Sequence, residues 1–289
     1  MMDRRHSQGY SDAGFTDEAE GSPAASQFSQ AMEGSSMSDT RGTVDYGNWV
    51  PWKLVYIPAI LAIVFMGFSL WWRPLLLGAF LCILASGYLI YARRQFSPEG
   101  GNLQARLRDI VFAHLAWNGD GTLLDIGCGN GALAVEAARR YPHAQVTGID
   151  CWGGKWEYSI ERCQSNALNA SVAERTRFQK ASAARLPFPD ETFDVVVSNM
   201  VFHEVQEARD KRTVIREALR VLKKGGVFSF QDLFVWKSLY GEPQDLVAAV
   251  RSWGIDEVNL IDTSRQSFVP RSMRLPFTVG DTGLLCGTK

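Results

Sequence analysis

The stretch Leu123-Leu124-Asp125-Ile126-Gly127-Cys128-Gly129-Asn130-Gly131 decides how this chain is read. A short apolar run enters a turn of three alternate glycines, and the residues that follow carry Leu133, Val135 and Ala138 at helical spacing. Glycines at 127, 129 and 131 let the backbone turn sharply and let a ligand come close where a Cβ would collide. A second apolar run, Val146-Thr147-Gly148-Ile149, ends in Asp150, whose carboxylate can accept hydrogen bonds from both hydroxyls of a ribose. Glycine turn and acid together form a nucleoside-cofactor pattern. The spacing is not that of a dinucleotide fingerprint, because Gly127-x-Gly129-x-Gly131 lacks the third glycine of GxGxxG.

Outward from this stretch, strand-like and helix-like segments alternate, which is the pattern of an α/β domain with a mostly parallel sheet. Strands are expected at residues 122–126, 145–149, 176–179, 193–198, 227–231, 258–261 and 283–286. Helical spacing fills the gaps at Leu103, Leu107, Ile110, Val111 and Leu115. It returns at Val214, Ile215, Leu219 and Leu222, where Lys223 and Lys224 precede the stop signal Gly225-Gly226.

Over roughly residues 100–289 the sequence resembles the class I S-adenosylmethionine-dependent methyltransferases. LLDIGCGNG is similar to the first motif of that family and VTGID to the second. Residues 186–198, LPFPDETFDVVVS, are similar to its fourth-strand segment, and residues 217–226, EALRVLKKGG, to the run that leads into its fifth strand. The resemblance implies a Rossmann-like, seven-stranded, mostly parallel sheet whose last strand is antiparallel. It implies S-adenosyl-L-methionine as cofactor, with Asp125 and the turn of Gly127, Cys128, Gly129, Asn130 and Gly131 at the methionine portion. Asp150 would take the ribose, and Ser182 and Ala183 the adenine, with Trp152 placed to stack on it. Asn199, at the end of the fourth strand, completes the expected cofactor set.

Methyl transfer is an in-line displacement, so few residues need act chemically, and a base is required only when the acceptor must lose a proton. Asn199-Met200-Val201-Phe202-His203-Glu204-Val205 follows the fourth strand and Gln231-Asp232 ends the fifth, both at the strand edges where open α/β sheets bind ligands. His203 is the expected base, oriented by Glu204 or Asp232; a histidine with no catalytic part is the competing reading. The segment after the fourth strand lacks an Asn/Asp-Pro-Pro-aromatic motif, which disfavours amide or base nitrogens as acceptors.

Ahead of this domain lie two uncharged runs, 19 residues at 54–72 and 17 residues at 75–91, each near the length that spans a bilayer core. Trp49, Trp52, Trp71, Trp72, Tyr88 and Tyr91 sit at their ends, where aromatic rings meet headgroups. A two-helix membrane hairpin over residues 49–95 is expected, with a re-entrant hairpin and a buried soluble hairpin as alternatives. Lys53, Arg93 and Arg94 outside the runs against Arg73 between them place both ends, and a catalytic domain over 96–289, in the cytoplasm. Residues 1–48 carry 3 Lys/Arg and 8 Asp/Glu with no apolar period, the composition of a disordered tail.

Residues 97–289 hold 23 basic and 23 acidic side chains, a balance that disfavours nucleic acid as the partner. The five cysteines form no CxxC pair, so neither a structural zinc site nor a disulfide framework is expected, and no metal is assigned. The chain therefore reads as a membrane-anchored methyltransferase with membrane lipids around its hairpin and a small, lipophilic or membrane-associated methyl acceptor. A non-catalytic cofactor-binding scaffold or sensor and a nucleotide-dependent oxidoreductase are the competing functions.

Overall fold

The structure is a computed structural model that describes residues 43–153, 157–276 and 278–289. Residues 1–42 of the expected tail lie outside them. Seven strands, β1 (Gly121–Ile126), β2 (Ala144–Asp150), β3 (Thr176–Lys180), β4 (Phe193–Asn199), β5 (Leu222–Asp232), β6 (Glu257–Asp262) and β7 (Gly283–Thr288), form one sheet in the order β3-β2-β1-β4-β5-β7-β6. β1 pairs in parallel with β2 and β4, β2 with β3 and β4 with β5, while β7 runs antiparallel between β5 and β6. All seven strands fall where the apolar runs place them, and the last is antiparallel as expected.

Successive strand residues point to opposite faces, and here both faces are covered. Leu123, Val195 and Val197 enter one core, against α3 (Leu103–Ala113) and α4 (Ala132–Arg140), while Leu124, Ile126, Val196, Phe228 and Phe230 enter the other, against α6 (Arg212–Arg220) and α8 (Pro243–Ser252). The strand order reverses between β1 and β4, so a crevice opens at the carboxyl ends of those two strands.

One helix is shorter than its pattern. The spacing from Val214 to Leu222 predicts a helix that stops at Gly225-Gly226, but α6 ends at Arg220 and β5 begins at Leu222. The reason is pairing from far along the chain. The Gly225 amide donates to the Lys289 carbonyl, Lys289 N donates to Gly226 O at 2.9 Å, and Lys289 Nζ donates to the carbonyls of Leu219 and Leu222 at 2.8 and 2.7 Å.

The two uncharged runs form α1 (Trp52–Phe68), which tolerates Pro58, and α2 (Leu75–Phe96), packed together as a hairpin. Gly78 lets them approach, since a Cβ there would lie 2.9 Å from the Phe65 ring. α2 is long and apolar enough to cross a membrane, and α1 is a shorter apolar helix. Most of their large side chains face outward, with Ile63 71% and Leu77 64% exposed.

Residues 43–50, which include the end of the segment expected as tail, lie as a strap against the domain. Asp45 N donates to Asn166 Oδ1 and Asn166 Nδ2 donates to Asp45 O, both at 2.9 Å, from α5 (Ile160–Asn169). Asn166 Nδ2 also donates to Asn130 O at 2.9 Å, so one buried amide clasps the strap to the glycine turn. Asn48 Nδ2 donates to Arg93 O at 2.9 Å, and Trp49 lies 5.3 Å from the Phe96 ring, which binds the strap to the end of α2. Replacing Asn166 by Ala strands a buried carbonyl and an amide and is expected to cost about 1–3 kcal/mol. Hydrogen exchange would show it, as faster exchange of the amides of residues 45–50 with the β1 and β4 amides unchanged.

Candidate active site

The glycine turn is built from the strand edge upward. Gly127 N and Cys128 N both donate to Ile149 O, at 2.8 and 2.9 Å, which ties the end of β1 to the end of β2. Gly127 holds a φ of +72° and a Cβ there would lie 2.2 Å from Val201, so this position admits only glycine. Gly131, at φ +81°, turns the chain into α4. Asp150 then fixes the turn from the end of the neighbouring β2: its Oδ2 accepts from Gly129 N and its Oδ1 from Trp152 N, both at 2.9 Å.

Trp152 closes the same loop. Its backbone sits at φ +28°, and its indole Nε1 donates to Gly129 O at 2.8 Å, so the ring is held beside the glycine turn at the end of β2. Ser182, expected at the adenine, has its hydroxyl engaged otherwise. It donates to Glu207 Oε1 and accepts from Ala184 N, both at 3.2 Å. Glu207 lines the cavity and was not singled out by the sequence, since it reaches the site from 25 residues away.

These residues share one cavity of about 1100 Å³, large enough for an extended ligand. Asp125, Gly127, Cys128, Gly129, Asn130, Asp150, Trp152, Ser182, Ala183, Asn199, His203 and Glu204 all line it; Gly131 shapes the turn from behind and Asp232 lies behind His203. The donor set fits an amino-acid-bearing nucleoside. Asp125 is 1% exposed, its Oδ2 has no hydrogen-bond partner, and burial pushes its carboxyl up to about 8, against smaller opposing effects of the Ala134 amide and Arg108. An ammonium group beside it would restore the carboxylate. Asn199 Oδ1 and Asn130 Nδ2 are also buried without partners, an acceptor and a donor for a polar ligand. Arg108, from α3, lines the same space with its guanidinium 5.6 Å from the Tyr46 ring and, among the described residues, no carboxylate in ion-pair contact. Its only local signal is a place on an amphipathic helix.

His203 and Asp232 meet as a dyad. His203 Nδ1 lies 2.8 Å from Asp232 Oδ1, while Nε2 lies 3.8 Å from Glu204 Oε1, so Asp232 rather than Glu204 orients the ring. Asp232 also accepts from Val201 N at 3.0 Å, Phe202 N at 2.7 Å and Leu233 N at 2.6 Å. Burial opposes the charge on both partners, yet their mutual attraction and hydrogen bond prevail: the His203 pKa is raised and that of Asp232 lowered. With Asp232 ionised, Nδ1 carries a proton and donates, which leaves Nε2 to exchange one.

Residues 124–230 match the model of a family described as "Methyltransferase domain". The chain is 37% identical over 140 residues to 27-O-demethylrifamycin SV methyltransferase of Amycolatopsis mediterranei, covering 48% of each chain. It is 34% identical over 121 residues to a ubiquinone/menaquinone biosynthesis C-methyltransferase of Desulfotalea psychrophila, covering 42% of this chain and 45% of that one. The chain thus spans about half the length of the curated relatives it matches. Among solved structures, geranyl diphosphate C-methyltransferase of Streptomyces coelicolor, in complex with Mg2+, geranyl diphosphate and S-adenosyl-L-homocysteine, is similar at 16% identity and a TM-score of 0.48. That match covers 65% of this chain and 79% of the other.

The dyad makes stability depend on pH. A raised folded pKa at His203 gives a contribution fully present below the ordinary imidazole value of about 6.5 and lost as pH rises through the folded value. The lowered pKa of Asp232 gives one present above the ordinary carboxylate range and lost as pH falls through its folded value. The difference in unfolding free energy between wild type and His203→Gln should therefore be largest between those limits and shrink toward both. Denaturant melts across pH would test this, and a flat difference would contradict the ionised dyad. Residues 124–230 of this chain are similar in sequence to a methyltransferase domain.

Proposed function

We propose that the chain is an S-adenosylmethionine-dependent methyltransferase, held at a membrane by the α1–α2 hairpin, that methylates a small lipophilic acceptor. The observation that carries this reading is the single cavity joining the glycine turn and the orphaned Asp125 oxygen to the His203 ring. The matches to enzymes named for a rifamycin and for quinone biosynthesis support a small organic acceptor. The outward-facing apolar side chains of α1 and α2 support the anchor, and Arg93 and Arg94 beside the domain support a cytoplasmic face.

When bound, the cofactor supplies an electrophilic methyl group on a sulfonium. The chain's own residues position and dry that centre. Asp150 accepts the Gly129 and Trp152 amides, one on each oxygen, and a carboxylate has about four acceptor positions, so ribose hydroxyls can share it with the turn. Asp125 takes the amino group, and Arg108 is placed to take a carboxylate. The strap of residues 43–50 covers the turn, with Gly47 against Asn130 and Tyr158, and keeps water from that end. His203 Nε2 accepts the proton that the acceptor gives up, while Asp232 holds the ring and stabilises the imidazolium.

Titration of the full chain in detergent with S-adenosylhomocysteine tests the reading. Binding is expected for the wild type, and Asp150→Ala, which frees the turn and removes the ribose acceptor, should weaken it by at least about tenfold. A folded wild type that binds nothing would contradict the proposal. Binding without transfer to any acceptor would favour a non-catalytic sensor. With a proton-losing acceptor, kcat/KM should rise with pH through a pKa above about 6.5 and fall sharply in His203→Gln.

A further inference from the structure

The cavity has two chemically different ends. One end holds the glycine turn, Asp125 and Asp150. The other is walled by Leu54 of α1, by Tyr88 and Leu89 of α2, and by Met273, Leu275 and Val279 from the connection between β6 and β7. We infer that this second end is the acceptor site, that it takes an uncharged molecule with a long apolar portion, and that the molecule enters sideways from the bilayer. The inference rests on the methyltransferase reading above and deepens it.

The first argument is chemical. None of those six side chains is charged, and a charge lodged among them would lose its hydration with nothing to replace it, whereas an apolar chain gains by leaving water. The charged lining lies elsewhere: Asp125, Asp150 and Arg108 belong to the glycine-turn end, and His203, Glu204, Glu207 and Lys211 follow β4. An acceptor with a polar reactive group and an apolar tail would therefore place its group toward His203 and its tail toward the hairpin.

The second argument is positional. Leu54 lies in the first turn of α1 and Leu89 about two turns before the end of α2. These are the hairpin ends that meet the domain, where a membrane boundary falls if the outward-facing helices lie in lipid. Leu54 and Leu275 line the cavity and are also 47% and 44% exposed, so its wall runs on into the apolar exterior of the hairpin. A lipid-dissolved molecule could pass that rim without crossing water.

The third is mechanical. Tyr88 Oη donates to Ser272 O at 3.1 Å and Tyr91 Oη lies 2.7 Å from Ser272 Oγ, while Arg274 Nη2 donates to Val269 O at 3.0 Å. The wall formed by Met273, Leu275 and Val279 is thus moored to α2 through Ser272, and its distance from the membrane is set by the hairpin itself. The acceptor site is incomplete without the hairpin, which gives the hairpin a part beyond anchoring.

The test uses the full chain in phosphatidylcholine vesicles containing a neutral long-chain alkylphenol with a diazirine at its tail, with labelled residues mapped by mass spectrometry. Met273 and Val279 are each 3% exposed and out of reach of lipid, so labelling there reports entry into the cavity. The expected result is label on Met273 and Val279, reduced about tenfold by Leu89→Trp, which fills the cavity, while label on the outward-facing Ile57 and Phe80 persists. Leu275→Glu, at the exposed rim, is a second variant that leaves the interior intact and should have the same effect. Label confined to outward faces, or equal labelling of Met273 and Val279 in both variants, overturns the inference. S-adenosylhomocysteine titration of the same vesicles separates the two claims. Loss of binding overturns the methyltransferase reading, whereas binding with label confined to outward faces overturns the acceptor site alone.

Discussion

The carboxylate of Asp150, at the end of β2, accepts one backbone amide from the glycine turn after β1 and another from Trp152 in its own loop. The first of these, with the Gly127 and Cys128 amides on Ile149 O, ties the glycine turn to the end of β2, and the rest of the site is arranged around that join. Trp152 returns a hydrogen bond to Gly129, so turn and loop hold each other. Asn166 extends the same unit to the strap through Asn130. The result is a rigid cofactor end in which the remaining orphaned atoms of Asp125, Asn130 and Asn199 are features of a binding site and not packing faults.

Across the crevice, Asp232 does for β4 and β5 what Asp150 does for β1 and β2. It is fully buried, gathers the amides after β4 and holds the His203 ring. A buried carboxylate is costly unless paired and hydrogen-bonded, and here both conditions are met. Two acids at two strand ends therefore hold the two sides of one cavity in place.

The sheet was legible in the sequence because its evidence is local: buried strands are short apolar runs, and glycines mark the turn between strand and helix. Asp125, Asp150, His203 and Asp232 could be placed because strand ends in an α/β sheet converge on one edge. What escaped depends on partners distant in the chain. Residues 43–48 read as tail because their polar composition gives no hint that Asn166, more than a hundred positions on, receives Asp45. The start of β5 carries a helical pattern, and its strand pairing comes from Phe193 of β4 and from Lys289, neither of which is local. Glu207 and Arg108 reach the cavity from a loop and from a helix whose patterns only say that they are polar. Ser182 lines the cavity, and its hydroxyl donates to the Glu207 carboxylate, a partner that no local pattern announces.

The proposed reaction is methyl transfer to a molecule dissolved in a membrane. Vesicles made from a total lipid extract, carrying the full chain and S-adenosylmethionine labelled on its methyl group, test that most directly. The account predicts label in the organic phase after extraction, absent with Asp150→Ala. Label recovered only in water-soluble products or on protein, with none in the organic phase, would contradict it.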